Sequence, residues 1–144
     1  MEKYKYIIVP IVTLIMCQLI KFIIESLTAK KLVWGRLFNG SGGMPSSHTS
    51  FSMSLTTMIG INLGIDSPMF AVSMIFSLIT AYDAMGLRFE TGKQAAAINK
   101  LLDEVFEEEG FKHLKEQLGH KPMEVLMGFV LGIVCALFFQ YVIF

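Results

Sequence analysis

The sequence predicts an all-α bundle embedded in a membrane, and three observations carry that prediction. Apolar residues make up 53% of the 144, and the mean hydropathy is +0.58. They are gathered into four runs that approach the roughly 20 residues a helix needs to cross a bilayer. The charges between these runs fall almost wholly on one side of the membrane that the runs imply. The length bounds the chain to a single domain, residues 1–144. The formal net charge is zero, so no global field points to nucleic acid. Cys17 and Cys135 stand inside apolar runs, far from any metal-ligand spacing, and read as buried thiols.

The first run, about residues 4–27, carries Lys21 and Glu25 near its far end. That polarity and its length set it apart from a cleaved signal peptide. The second, about 45–65, is rich in Ser, Thr and Met. Asp66-Ser67-Pro68 then makes a tight turn, with proline at the first position of the third run, about 68–87. The fourth, about 122–144, carries only Glu124, in its first turn. Gly60 with Gly64, and Gly128 with Gly132, have the small-xxx-small spacing that lets membrane helices pack closely.

Residues 88–121 form the one long polar segment. Thr91 is placed to cap a helix, and Ile98, Leu101, Leu102, Val105 and Phe106 follow the spacing of one apolar face. Glu107, Glu108 and Glu109 form a solvated run before a stop at Gly110. Phe111, Leu114 and Leu118 suggest a second short helix ending at Gly119. The segment is therefore predicted to be an amphipathic helical hairpin between the third and fourth spans, lying on the membrane or against the bundle.

With four spans, the loops around residues 28–44 and 88–121 share one side. That side holds nine cations, namely Lys30, Lys31, Arg36, Arg88, Lys93, Lys100, Lys112, Lys115 and Lys121, against Lys3 and Lys5 on the other. The positive-inside rule puts the basic side in the cytoplasm and both termini outside.

The chemistry gathers on the same side. Gly42-Gly43-Met44-Pro45-Ser46-Ser47-His48 leads into the second span. The glycines allow a sharp bend and a close backbone approach, and Pro45 suits the first turn of a helix. Free backbone N–H groups, the Ser46 and Ser47 hydroxyls and the His48 imidazole then meet at one point, a setting that attracts phosphate. Lys21, Asp83, His120 and Glu124 stand at the same depth, and titratable groups within spans are candidates for function. Lys21 reads equally as a snorkelling side chain, and Asp83 as a cap or bundle hydrogen bond. His120 and Glu124, four residues apart, share a helix face, so the carboxylate can fix one imidazole nitrogen and leave the other as a nucleophile. His113 has no such partner in the sequence and reads as surface.

Pro45-Ser46-Ser47-His48 resembles the PSGH motif of the type 2 phosphatidic acid phosphatase superfamily, which includes vanadium-dependent haloperoxidases. His120-Lys121-Pro122-Met123-Glu124 resembles the H-x-x-x-D end of its third motif. The whole chain is more closely similar to the divergent, phosphatase-related family of small membrane proteins. Gln18 and Lys21, Gly42 to His48, Asp83 to Arg88, Gly92 with Gln94, Ala95 and Asn99, and Leu118 to Val125 carry that likeness. It implies His120 as a nucleophile forming a phosphohistidine, His48 as the acid on the leaving oxygen and Glu124 as the group orienting His120. Lys21, Arg36 and Arg88 would hold the phosphate oxygens. The chain departs from the superfamily in lacking its lysine and Arg-Pro first motif, in Leu114 standing six residues before His120, in Ser47 for glycine and in Glu124 for aspartate.

The expected function is metal-independent, cofactor-free hydrolysis of a lipid phosphomonoester or diphosphate, at a cytoplasm-facing site in a bacterial cell membrane. The partners implied are the phosphorylated lipid and the bilayer, without nucleic acid; self-association is left open. The alternative is a non-catalytic carrier or sensor that binds lipid phosphate in the same pocket. A structural subunit whose polar cluster fastens helices together is a third reading.

Overall fold

The computed structural model describes residues 2–37, 42–105, 112–116 and 118–144, and gives no side-chain detail for Arg36, Leu37 and Val105. Within these residues the chain is all-helical. Its helices are α1 (Lys5–Ala29), α2 (Ser47–Leu63), α3 (Pro68–Met85), α4 (Leu87–Val105) and α5 (Pro122–Phe138). A short 3-10 turn, Trp34–Leu37, follows α1 and is tied back to it by the Phe22 and Trp34 rings, 5.3 Å apart.

Three stretches among the described residues are long and apolar enough to cross a membrane: Glu2–Ala29, Pro68–Glu104 and Pro122–Ile143. Their outward faces are apolar, with Ile7, Ile11 and Ile15 on α1, Val72, Ile75 and Ile79 on α3, and Leu126, Val130 and Val134 on α5 all exposed. Polar groups lie inside instead. The second predicted run, α2, is shorter at 17 residues and is the hub, packed against α1, α3 and α5.

Serine and threonine equip α2 for that place. Ser50, Ser52 and Ser54 donate back to carbonyls three residues earlier, so their hydroxyls are satisfied while buried. Thr56 donates to the Ser52 carbonyl, four residues earlier, and meets the Ser77 hydroxyl of α3 at 2.9 Å. These small side chains let α5 approach closely. A Cβ on Gly128 would lie 2.8 Å from the Ser46 carbonyl, and one on Gly132 2.7 Å from that of Ser50. The predicted spacing of these two glycines therefore marks a real helix contact. The other pair divides its duties: Gly60 meets the Phe70 ring, whereas Gly64, at φ +90, makes the turn after α2. Ser67 caps α3 by accepting from the Phe70 N–H, with Pro68 at the first position, as the turn signal predicted. Lys5, Asn62 and Gln140 join the N-terminus, the end of α2 and the C-terminal turn at the opposite end of the bundle from the polar loops.

The polar segment corrects two expectations. Thr91 does not cap a helix: α3 runs into α4 with only Gly86 between them, so Thr91 lies inside α4 and donates to the Leu87 carbonyl. Residues 112–116 are not helical, and α4 has a non-helical return segment where the second helix was expected. Asn99 is the reason. Its side chain donates to the Leu114 carbonyl and accepts from the Leu114 N–H, each at 2.9 Å or less, so tertiary bonds replace helical ones. Gly92 and Ala95 admit this segment to the α4 surface, where a Cβ on Gly92 would strike the Glu116 carbonyl. The apolar stripe faces elsewhere, with Ile98 and Leu101 exposed. Phe106, the acidic run, Gly110 and Phe111 lie outside the described residues.

Candidate functional site

Two backbone bonds and one close backbone approach bring the chemistry-bearing segments together. The Ser46 N–H donates to the Glu124 carbonyl at 2.9 Å, joining the start of α2 to α5. The His120 N–H donates to the Ala84 carbonyl at 2.9 Å, joining the return segment to α3. Gly119, at φ +80, lies so close to Arg88 and Phe89 that no Cβ would fit. Pro45 precedes α2 rather than opening it, since Ser46 is the N-cap, and the Met44–Pro45 peptide is cis.

A cavity of about 320 Å3 results, lined by Gln18 of α1, Ser47 and His48 of α2, Thr80 of α3, Arg88 and His120. Two neighbours open from it. An apolar groove of about 530 Å3, with Phe51, Phe76, Ile79 and Asp83 on its walls, shares His48 and Arg88 with the cavity. A more polar cavity of about 550 Å3, reached across Gly42 and Gly119, is lined by Lys93, Glu116, Lys121 and Glu124.

His120 is 5% exposed, and its Nδ1 sits 2.9 Å from Glu124 Oε2. The carboxylate is itself held: Glu124 is the third residue of α5 and reaches back to the Lys121 N–H at 3.3 Å, half of a capping box. Lys-Pro-Met-Glu thus builds a helix start and an imidazole support with the same side chain. Burial pushes the His120 imidazole below the ordinary histidine range, and Lys21 adds to the effect. Glu124 and the Gly43 backbone, which accept hydrogen bonds from the ring, oppose it. The lowered value favours the neutral ring, and a proton on Nδ1 toward the carboxylate would leave a lone pair on Nε2.

The remaining predicted residues occupy different places. His48 is exposed into both the cavity and the groove. Arg88 donates through Nε to Asp83 at 2.6 Å, so Asp83 positions a cation at the cavity edge. Lys21 is buried and does not line the cavity; its Nζ bonds Ser47 Oγ at 2.7 Å and the Gly42 carbonyl at 3.3 Å. Ser46 turns inward, its hydroxyl 2.9 Å from that of Thr49. The backbone of Arg36 lies in the 3-10 turn, and its side chain is outside the description. His113 is on the surface as predicted, paired there with Asp103 at 2.8 Å. Gln18 and Thr80 line the cavity although neither was assigned to it. Their signal was available: each stands three residues before a predicted site residue, Lys21 or Asp83, on the same helix face. Among the described residues, no three His, Cys, Asp or Glu side chains converge as a metal site requires.

Apolar outer faces around a pocket with a histidine–carboxylate pair define a membrane protein with a polar site inside its helices. The chain belongs to the divergent PAP2 family, whose model matches residues 3–135. It is 40% identical to YuiD, an uncharacterised membrane protein of Bacillus subtilis strain 168, over 89% of each chain. No solved structure matches it.

Proposed function

We propose that this protein is a membrane lipid-phosphate phosphatase working through a phosphohistidine without a metal ion. The observation that carries the reading is the His120–Glu124 pair at 2.9 Å, buried at one cavity with His48 and Ser47. Nε2 of His120 attacks phosphorus, and the bond to the leaving oxygen breaks as His48 gives it a proton. Water, deprotonated by His48, then cleaves the phosphohistidine and releases phosphate. Arg88 and Ser47 offset the charge on the oxygens of the transition state. The apolar groove beside His48 supports a lipid as the leaving group, such as diacylglycerol, phosphatidylglycerol, a polyprenol or a polyprenyl phosphate.

In this reading α2 is a fourth span, shielded by its neighbours, and the basic loops put the site on the cytoplasmic face. The Gly43 contact favours a second reading, a lipid-phosphate carrier, because a ring nitrogen donating to Gly43 offers no lone pair. Phosphate release from a panel of lipid phosphates by purified protein, wild type beside His120→Ala, separates the two. The enzyme requires release that His120→Ala abolishes. Lipid-phosphate binding without release across the whole panel would leave the carrier.

A further inference from the structure

Lys21 is 2% exposed, near the end of an otherwise apolar helix, and does not itself line the cavity, but it bonds a side chain that does. That side chain is Ser47. Its Oγ lies 2.7 Å from Lys21 Nζ and 3.5 Å from Gln18 Nε2, both of which donate to it. A hydroxyl oxygen has two lone pairs and a single proton. With both lone pairs facing donors, the proton turns away from them, and Ser47 lines the cavity on its remaining side. Resting on the phosphate reading above, we propose that Ser47 is the donor that touches the ligand's phosphate oxygen. Lys21 is then a positioning residue that delivers its charge through that hydroxyl, with Gln18 steadying the same oxygen.

The physics favours a relay over direct contact. An ammonium withdrawn from water is screened less than one at the surface, so its field is felt more strongly at the hydroxyl. Hydrogen bonds in a chain polarise one another, which makes the outward O–H a stronger donor than an ordinary serine. Direct contact would need Lys21 to leave Ser47 and the Gly42 carbonyl, which it also holds. The sequence agrees. Ser47 stands where the PSGH motif has glycine, in a chain that lacks the superfamily's first cationic motif. The added hydroxyl is the atom that meets the lysine.

Orthovanadate binding to the purified full-length protein in lipid nanodiscs, followed by calorimetry, tests the relay apart from turnover. Ser47→Ala should weaken vanadate about tenfold to a hundredfold, as expected for loss of a charge-assisted bond. Its thermal midpoint without ligand should stay near that of wild type, because the substitution leaves the helix intact. Lys21→Met should lose affinity similarly, and adding it to Ser47→Ala should cost little more, since both act through one bond. Should Lys21→Met fail to fold, Ser47→Ala and Ser47→Gly decide by themselves. Vanadate held as tightly by both serine variants as by wild type overturns the relay and leaves the phosphate site standing. So does a Ser47→Ala affinity that is kept while Lys21→Met loses it, since Lys21 would then reach the phosphate itself. Wild-type protein that binds neither vanadate nor phosphate removes both readings.

Discussion

Gly128→Ala is the smallest change that tests whether helix contact sets the geometry of the site. The new Cβ would stand 2.8 Å from the Ser46 carbonyl, 3.0 Å from Thr49 Cβ and 3.2 Å from Ser46 Cβ. Ordinary van der Waals contact begins at 3.4 Å, so α5 and α2 must part by about 0.6 Å against backbone that cannot rotate away. Overpacking of this kind costs about 1–3 kcal/mol, while Ala in place of a helical Gly returns about 1 kcal/mol. The net loss of stability should therefore be modest, about 0–2 kcal/mol. Activity should suffer more. Ser46 leads into His48, Gly128 lies one turn beyond Glu124, and the Ser46–Glu124 backbone bond spans this contact. Misplacement of reacting groups by about 1 Å can cost about a hundredfold in rate, so a fall of about tenfold or more is expected. Thermal unfolding and lipid-phosphate hydrolysis in nanodiscs measure the two effects side by side. Gly35→Ala, where a Cβ meets nothing within 4 Å, is the control and should change neither. A Gly128→Ala protein as stable and as active as wild type would refute the claim that this contact positions the histidines.

The pH profile supplies a second test. Because burial lowers the His120 pKa, the acid limb of kcat/KM should fall below the ordinary histidine value of about 6.5. Glu124 favours the imidazolium, so Glu124→Gln should move that limb to still lower pH while reducing the plateau; movement to higher pH would contradict the pairing. Arg88→Ala should chiefly raise KM, since a lost charge-assisted contact costs about 1.5–3 kcal/mol. His48→Ala should instead lower kcat about 10²–10⁴-fold, most for poor leaving groups, and equal effects of the two variants on KM alone would deny His48 its role as an acid. Single cysteines at 112 and at the C-terminus, tested in intact cells with a membrane-impermeant reagent, report the orientation. Labelling is expected only at the C-terminus, and the reverse pattern would put the site outside.

The apolar runs made α1, α3 and α5 legible because lipid-facing residues must be apolar whatever the tertiary packing. The polarity of α2 came from its position at the centre, where small hydroxylated side chains permit close contact with Gly128 and Gly132. Sequence spacing identified those glycines but could not distinguish Gly60, which meets a ring, from Gly64, which turns the chain. The return segment was illegible for another reason: Asn99 pairs with Leu114 across fifteen residues, and no local period records a side chain standing in for a helix bond. In the site, His120 with Glu124 could be read from their spacing alone, because one helix start fixes both. Residues on separate helices were placed at the right depth but not at the right rotation. Ser46 faces Thr49 and Lys21 faces Ser47 because neighbouring helices decide which side of each turn meets the cavity.

The two openings beside the site bear on how a membrane phosphatase would part its products. In-line displacement sets the nucleophile and the leaving oxygen on opposite sides of phosphorus. With His120 as the nucleophile, the leaving oxygen departs toward His48, which also lines the apolar groove. A lipid alcohol released there is already among Phe51, Phe76 and Ile79 of the apolar groove. Glu124 lies behind the attacking ring and faces the polar cavity, where Lys93, Glu116 and Lys121 give inorganic phosphate a polar, hydrated way out. The histidine order therefore carries a direction. Exchanging the roles of His48 and His120 would send the alcohol toward the lysines and leave the phosphate against hydrocarbon, an arrangement that desolvation opposes. The carboxylate also belongs on the His120 side, since there it orients the ring that must attack. On this reading Arg88, tied to Asp83 at the rim between cavity and groove, marks the level at which the lipid head stops and its chain begins.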